Sequence, residues 1–120
     1  MGKVIMRFLK VGITVLVALA AGQVQAQALS KKELQICTWG ADVARSAQQS
    51  KLSGTTLWRA RQHLKARTFS QPWMAKMAAG ITEQTYASPS RLQPSSVKKA
   101  YYDGCVHHEL TRKHATRKVH

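Results

Sequence analysis

The chain contains only two cysteines, Cys37 and Cys105, and most of its length lies between them. In an oxidising compartment the simplest use of an even cysteine pair is one disulfide. Such a bridge would close a loop of nearly a whole domain, which the chain-entropy model values at about 4 kcal/mol of stability. A redox pair usually has Cys-x-x-Cys spacing and a zinc site needs further ligands nearby, and neither pattern is present. The pair therefore predicts a structural disulfide.

The N-terminal segment predicts that the chain reaches an oxidising compartment. Three basic residues occur in the first ten positions, an apolar stretch occupies 11–22, and the small residue Ala26 follows. This order is typical of a secretory signal peptide cleaved after a small residue, whereas a membrane-spanning helix needs about 20 apolar residues. We expect residues 1–26 to be removed, with a second candidate cleavage site after Ala28. The protein is then periplasmic or extracellular.

The chain beyond the signal peptide is small and strongly basic. Of the 19 Lys and Arg residues, 16 lie after residue 26 together with all five acidic residues, which leaves a net charge of +11. A domain of this size buries only about 60–65% of its unfolded surface, so a covalent link would supply much of its stability. The charge favours acidic partners such as lipid headgroups, lipopolysaccharide, cell-wall polymers or acidic proteins, and binds nucleic acid only nonspecifically.

The spacing of apolar residues predicts an all-α fold, a small bundle of about four short helices. Ser30 and Glu33 form a capping box at the start of the first helix, and Gly54 suits its C-terminal end. The later helices are predicted over 55–67, over 72–87 and from Pro94 onward. No segment alternates with the period of a strand.

The two cysteines lie on the stripes that the first and last predicted helices would bury. The disulfide would therefore join these two helices as direct neighbours, with Gly40 on one and Gly104 on the other allowing close approach. We expect one helical domain over 27–110. The basic, His-containing tail over 111–120 is either a frayed helix end or disordered.

The candidate catalytic and metal-binding groups form no recognisable site. His108 and Glu109 resemble the start of a zinc-protease motif, but Arg112 stands where that motif needs its second histidine. Five acidic residues are a small supply for a general acid and base, and no G-x-S-x-G motif occurs. We predict no catalytic residue, no metal and no cofactor, and hence a protein that is not an enzyme. A small envelope enzyme is the least favoured alternative.

The second predicted helix carries the clearest partner-binding pattern, because no acidic residue lies between Thr55 and Arg67. A run of charge is often only a solvated face, but an exposed Trp beside Arg is a frequent interaction hot spot. The candidate residues are Trp58, Arg59, Arg61, Lys65 and Arg67. For Trp39 and Trp58 the sequence leaves core and surface positions equally open, whereas Trp73 is expected in the core.

The layout of the chain resembles the short exported two-cysteine helical proteins of proteobacteria and their phages and plasmids. The resemblance is carried by the signal peptide, the segments 36–39 and 52–55, and residues 101–105. Most such proteins have no assigned activity, and a few resemble periplasmic inhibitors such as phage proteins that block lysozyme. Lysozymes of that kind tend to be basic, so the charge of this chain disfavours that target.

Two functions are consistent with these features. The first is an exported interaction module, without enzymatic activity, that binds an acidic envelope component or acidic protein. The alternative is a cationic membrane-active or polyanion-binding protein without a dedicated protein partner, whose binding would weaken steeply as salt rises.

Overall fold

The computed structural model describes the backbone of residues 29–119 and the side chains of residues 29–115. Its four α-helices are α1 (Lys31–Leu52), α2 (Leu57–Ala66), α3 (Pro72–Ala87) and α4 (Pro94–Val119). No strand occurs among the described residues, which confirms the all-α prediction. Helix α1, with 22 residues, begins and ends where the sequence predicts, whereas α4, with 26 residues, continues past residue 110. The predicted signal peptide, residues 1–26, lies outside the described residues.

Local sequence signals account for the ends of α1 and the start of α2. The Ser30 hydroxyl accepts a hydrogen bond from the Glu33 amide, and the Glu33 carboxylate accepts one from the Ser30 amide, both at 3.2 Å. These bonds form the predicted capping box. Gly54 follows α1 with a φ of 88°, a conformation that costs glycine little. Thr56 then caps α2 by accepting a hydrogen bond from the Arg59 amide at 3.1 Å.

Helix α1 is central to the packing. It contacts each of the other three helices, and α2 also packs against α3. The buried cluster between α1 and α3 consists of Val43, Ala44, Ala78 and Ile81. The partly buried side chains packed around it are Trp39, Leu64, Phe69, Met77, Val97 and Tyr101. Large side chains from all four helices therefore surround a buried cluster to which α1 and α3 contribute two residues each.

The disulfide joins the first and last helices as predicted. Cys37 is fully buried and bonded to Cys105, with the two Cα atoms 5.6 Å apart. Gly40 lies one turn along α1, and a Cβ atom there would come within 2.7 Å of the Tyr101 ring. Its missing side chain thus lets α4 approach. A Cβ atom at Gly104 would have no neighbour within 4 Å, so the expectation that Gly104 permits the approach is wrong.

Helix α4 continues through the basic segment that follows residue 110. The backbone is helical as far as Val119, and Lys113 forms an ion pair of 2.6 Å with the Glu33 carboxylate at the start of α1. On one side of the disulfide, electrostatic attraction therefore joins the C-terminal part of α4 to the N-terminus of α1. On the other side of the disulfide, Lys98 of α4 pairs with Asp42 of α1 at 2.8 Å.

Candidate functional site

Helix α2 is attached to the rest of the protein along one narrow stripe. Ala60 is buried and Leu57 and Leu64 are half-buried. The loop before the helix is anchored by Tyr86, whose hydroxyl donates a hydrogen bond of 2.9 Å to the Thr55 carbonyl. Because a single stripe of α2 packs inward, most of its remaining surface faces solvent.

The structure resolves the positions of the three tryptophans. Trp58 is 66% exposed, so the surface alternative holds for it. Trp39 is partly buried against the core and lies edge-on to Trp73, with ring centroids 5.5 Å apart, and to Phe69. Trp73 keeps 37% of its surface exposed. The expectation that Trp73 lies in the core is therefore wrong, although its ring packs against Trp39.

The four predicted basic residues of the binding surface are all exposed, but they have different surroundings. Arg61 donates two hydrogen bonds to the Glu83 carboxylate of α3, from Nε at 2.8 Å and from Nη2 at 2.5 Å. These bonds raise the pKa of Arg61 and lower the pKa of Glu83. The Arg67 guanidinium lies 4.9 Å from the centre of the Phe69 ring.

Arg59 and Lys65 carry the uncompensated charge of the helix. Neither side chain forms an ion pair within the part of the chain that the structure describes. Lys65 shares a face with Arg61 and Trp58, since the three are spaced i, i+3 and i+7. Arg59 lies on the adjacent face. The structure thus places an exposed indole on the same stripe as two cations, with a third cation beside it.

An open groove of about 330 Å³ runs between α2 and α3 along this stripe. Its apolar walls are formed by Leu64, Phe69, Ala75 and Ala79. Charged groups at its edge are Arg61, Lys65 and Glu83. Two of the predicted binding residues, Arg61 and Lys65, therefore border an apolar depression, which was not predicted from the sequence. The other three do not line it. The only sequence signal for it is the i, i+4, i+8 spacing of Ala75, Ala79 and Glu83 on α3.

A second open depression, of about 350 Å³, lies where α1, α3, α4 and the loop over 88–93 meet. Its polar groups hold the loop in place. The buried Gln48 amide donates hydrogen bonds to the carbonyls of Ser90 and Leu92, at 3.1 and 2.8 Å, and Lys51 donates to three carbonyls in the same region. Since these donors already have backbone acceptors, we assign this depression a structural role.

The acidic side chains form no cluster suited to catalysis. All five acidic residues of the chain lie in the described part, and each pairs with Lys or Arg. Within residues 29–119 no group of three His, Cys, Asp or Glu side chains is placed to hold a metal ion. His107 and His108 are exposed on α4. In the same residues, no helix has the length and apolar character needed to cross a membrane.

Over the residues that the structure describes, the fold and surface define a class rather than a family: four helices linked by a disulfide, with a cationic, Trp-bearing face on α2. No family model, curated protein or solved structure matches the chain.

Proposed function

We propose that the protein is an exported, non-enzymatic interaction module that binds an acidic protein or an acidic component of the cell envelope through α2. The carrying observation is the exposed Trp58 on the same helix stripe as the unpaired cation Lys65. Aromatic and Arg side chains dominate binding energy at protein interfaces. The binding residues are those predicted from the sequence: Trp58, Arg59, Arg61, Lys65 and Arg67.

The charge distribution supports an acidic partner. All five acidic residues are engaged in ion pairs within the protein, so most of the positive charge is available to a partner. A cationic surface steers an acidic partner towards it and speeds association, and this effect declines as salt rises. The disulfide fits an oxidising location such as the periplasm or the extracellular medium.

The excess charge also supports the alternative function, a cationic protein that binds membranes or other polyanions without a dedicated protein partner. In that case binding depends on total charge rather than on α2. Removing two positive charges from any exposed part of the surface would then weaken binding to a similar extent. A comparison of charge removal on α2 with charge removal elsewhere therefore distinguishes the two functions.

The test is a pull-down from envelope extract at low and moderate salt with the oxidised protein as bait. One bait variant carries Arg59→Gln and Lys65→Gln, and its matched control carries Lys32→Gln and Arg45→Gln on exposed positions of α1. Gln preserves helix propensity and most of the aliphatic chain. We expect the α2 variant to lose most of the recovered partner and the control to retain it.

Other outcomes contradict the proposal. Equal loss in both variants, with binding that vanishes as salt rises, would support the polyanion-binding alternative instead. Recovery of no partner at either salt concentration would argue against an interaction module altogether.

A further inference from the structure

We propose that the groove between α2 and α3 receives a large apolar side chain from an acidic segment of a partner protein. This inference rests on the proposed function and narrows it, because it selects a protein over a lipid or a cell-wall polymer. The partner segment would place a carboxylate against Lys65 while its apolar residue enters the groove.

The first argument is the chemistry of the groove itself. Its walls are the apolar side chains Leu64, Phe69, Ala75 and Ala79. A purely charged ligand such as a phosphate-containing polymer or an acidic polysaccharide leaves such walls in contact with water. A ligand that covers them must carry an apolar group, and burial of that group contributes free energy in proportion to the area removed from water.

The second argument is the arrangement of charge at the rim. Arg61 is fixed by its two hydrogen bonds to Glu83, which engage Nε and Nη2 and leave Nη1 outside that pair. Lys65 lies one turn further along the same edge and forms no ion pair within the described residues. Because Glu83 neutralises Arg61, Lys65 supplies the net positive charge of the rim. A ligand that carries a carboxylate beside an apolar group matches this rim, as an acidic amphipathic segment does.

The third argument distinguishes a protein segment from a lipid surface. Membrane-binding helices present a continuous apolar face that enters the bilayer interface. The exposed part of α2 has only one large apolar side chain, Trp58, among charged residues, and the apolar surface beside it is concave. A concave site of about 330 Å³ lies at the small end of the range for binding pockets, and it suits an inserted side chain. Trp58 continues the same stripe and would contact the segment beyond the groove.

The experiment uses the oxidised, isotope-labelled protein and a short synthetic peptide with a central Leu between Glu residues. We expect saturable shifts of the backbone amide NMR signals of Leu64 and Ala79. Two control peptides replace the Leu by Ala or the Glu residues by Gln, and both should bind about tenfold more weakly. Vesicles of phosphatidylglycerol and phosphatidylcholine provide the lipid comparison.

A groove-filling variant tests the position of the site. Ala79→Leu places a larger side chain at an exposed position of α3, where Leu is a good helix former. Ala87→Leu is the matched control, because Ala87 is exposed on the same helix but does not line the groove. We expect peptide affinity to fall about tenfold in the first variant and to remain unchanged in the second. Circular dichroism confirms that both variants retain their helices.

The outcomes separate this inference from the proposed function. Suppose that the peptide binds the Ala79→Leu and Ala87→Leu variants equally well but loses affinity when Arg59 and Lys65 become Gln. The cationic face then binds acidic partners and the groove does not. If vesicles bind and the peptide does not, the partner is a lipid surface and the inference is wrong. Absence of binding to peptide and vesicles alike would overturn the inference as well.

Discussion

At the scale of single residues, Gly40 sets the distance between α1 and its neighbours. A Cβ atom at this position would lie 2.7 Å from both the Met77 methyl group and the Tyr101 ring, which is closer than packed carbon atoms approach. The Met77 side chain ends in a flexible methyl group that can move, whereas the Tyr101 ring is packed against the core. The position therefore requires glycine in the middle of a helix, despite its low helix propensity.

We expect Gly40→Ala to lower the free energy of unfolding by about 1–3 kcal/mol, because overpacking displaces the Tyr101 ring. Gly104→Ala is the matched control, since Gly104 is also helical but has open space around it. This control should gain about 0.5–1 kcal/mol from the better helix propensity of Ala. Urea denaturation of the two variants measures both values, and equal effects would contradict the close contact at Gly40.

Glu33 joins the capping box of α1 to the far part of α4. Hydrogen bonds from Lys113 and Ser30 lower the pKa of this carboxyl from 4.5 to about 2. A pKa that is depressed in the folded state stabilises the protein at pH values above the unfolded-state pKa. That contribution is lost as the pH falls from about 4.5 towards about 2, because the unfolded chain binds the proton first.

We therefore expect Glu33→Gln to flatten the acid side of the stability profile. The wild type should lose more stability than the variant between pH 5 and pH 2, whereas the two profiles should run parallel at higher pH. Denaturant unfolding at a series of pH values measures the difference. Parallel profiles over the whole range would show that the ion pair with Lys113 does not persist in solution.

At the scale of helices, α1 organises the loop between α3 and α4 through side chains on its last turns. The Lys51 ammonium group donates hydrogen bonds to the carbonyls of Thr85, Ser88 and Ser90, at 3.1, 2.9 and 2.8 Å. A cation among the last carbonyls of α3 satisfies unpaired acceptors and interacts favourably with the helix dipole. One side chain of α1 thus caps the C-terminal end of a helix that lies more than 30 residues away in sequence.

Replacing Lys51 by Met should lower the free energy of unfolding by about 1–3 kcal/mol, since the carbonyls would lose a charged donor. Hydrogen exchange should increase in the loop over 88–93 and at the end of α3. Lys32→Met removes the same charge from an exposed position of α1 and should change neither quantity. If both variants behave alike, the effect comes from net charge rather than from the carbonyl cluster.

These contacts show which parts of the architecture a sequence can predict. Ser30, Glu33 and Gly54 act through hydrogen bonds and dihedral preferences within one turn, so their roles follow from local spacing. The partners of Lys51 and Glu83 lie on other helices or in the loop over 88–93, and their identity depends on how the helices pack. The same holds for the groove, whose walls come from α2, α3 and the intervening Phe69. The ion pair of Lys113, on the part of α4 past residue 110, with Glu33 likewise joins two distant parts of the sequence.

At the scale of the whole molecule, a disulfide and ion pairs on both sides of it tie α1 to α4. The disulfide lies between the ion pair of Glu33 with Lys113 and the ion pair of Asp42 with Lys98. The ion pairs are partly exposed, and such pairs typically contribute about 0–1 kcal/mol each. The disulfide is therefore the strongest single connection between the first and last helices. Its position could be predicted because only two cysteines are present and both fall on the stripes that the first and last helices were expected to bury.

Loss of this bridge tests the architecture most directly. The cysteines are 68 residues apart in sequence, and cross-linking a loop of that length removes unfolded-state entropy equivalent to about 4 kcal/mol in the chain-entropy model. We expect replacement of both Cys37 and Cys105 by Ala to lower the free energy of unfolding by about 2–5 kcal/mol. Far-UV circular dichroism should still show a helical protein under native conditions, because the apolar core and the flanking ion pairs remain.

Reduction of the wild-type protein separates the two contributions to this loss. Reduction removes the cross-link but keeps both sulfur atoms, whereas the double variant also leaves a small cavity at the fully buried Cys37. We therefore expect the reduced wild type to be destabilised slightly less than the double Ala variant, with the same helical spectrum. Equal free energies of unfolding for the oxidised and reduced protein would show that the bridge adds nothing to the stability of the fold. Loss of all helical signal on reduction would show that the core alone cannot maintain the bundle.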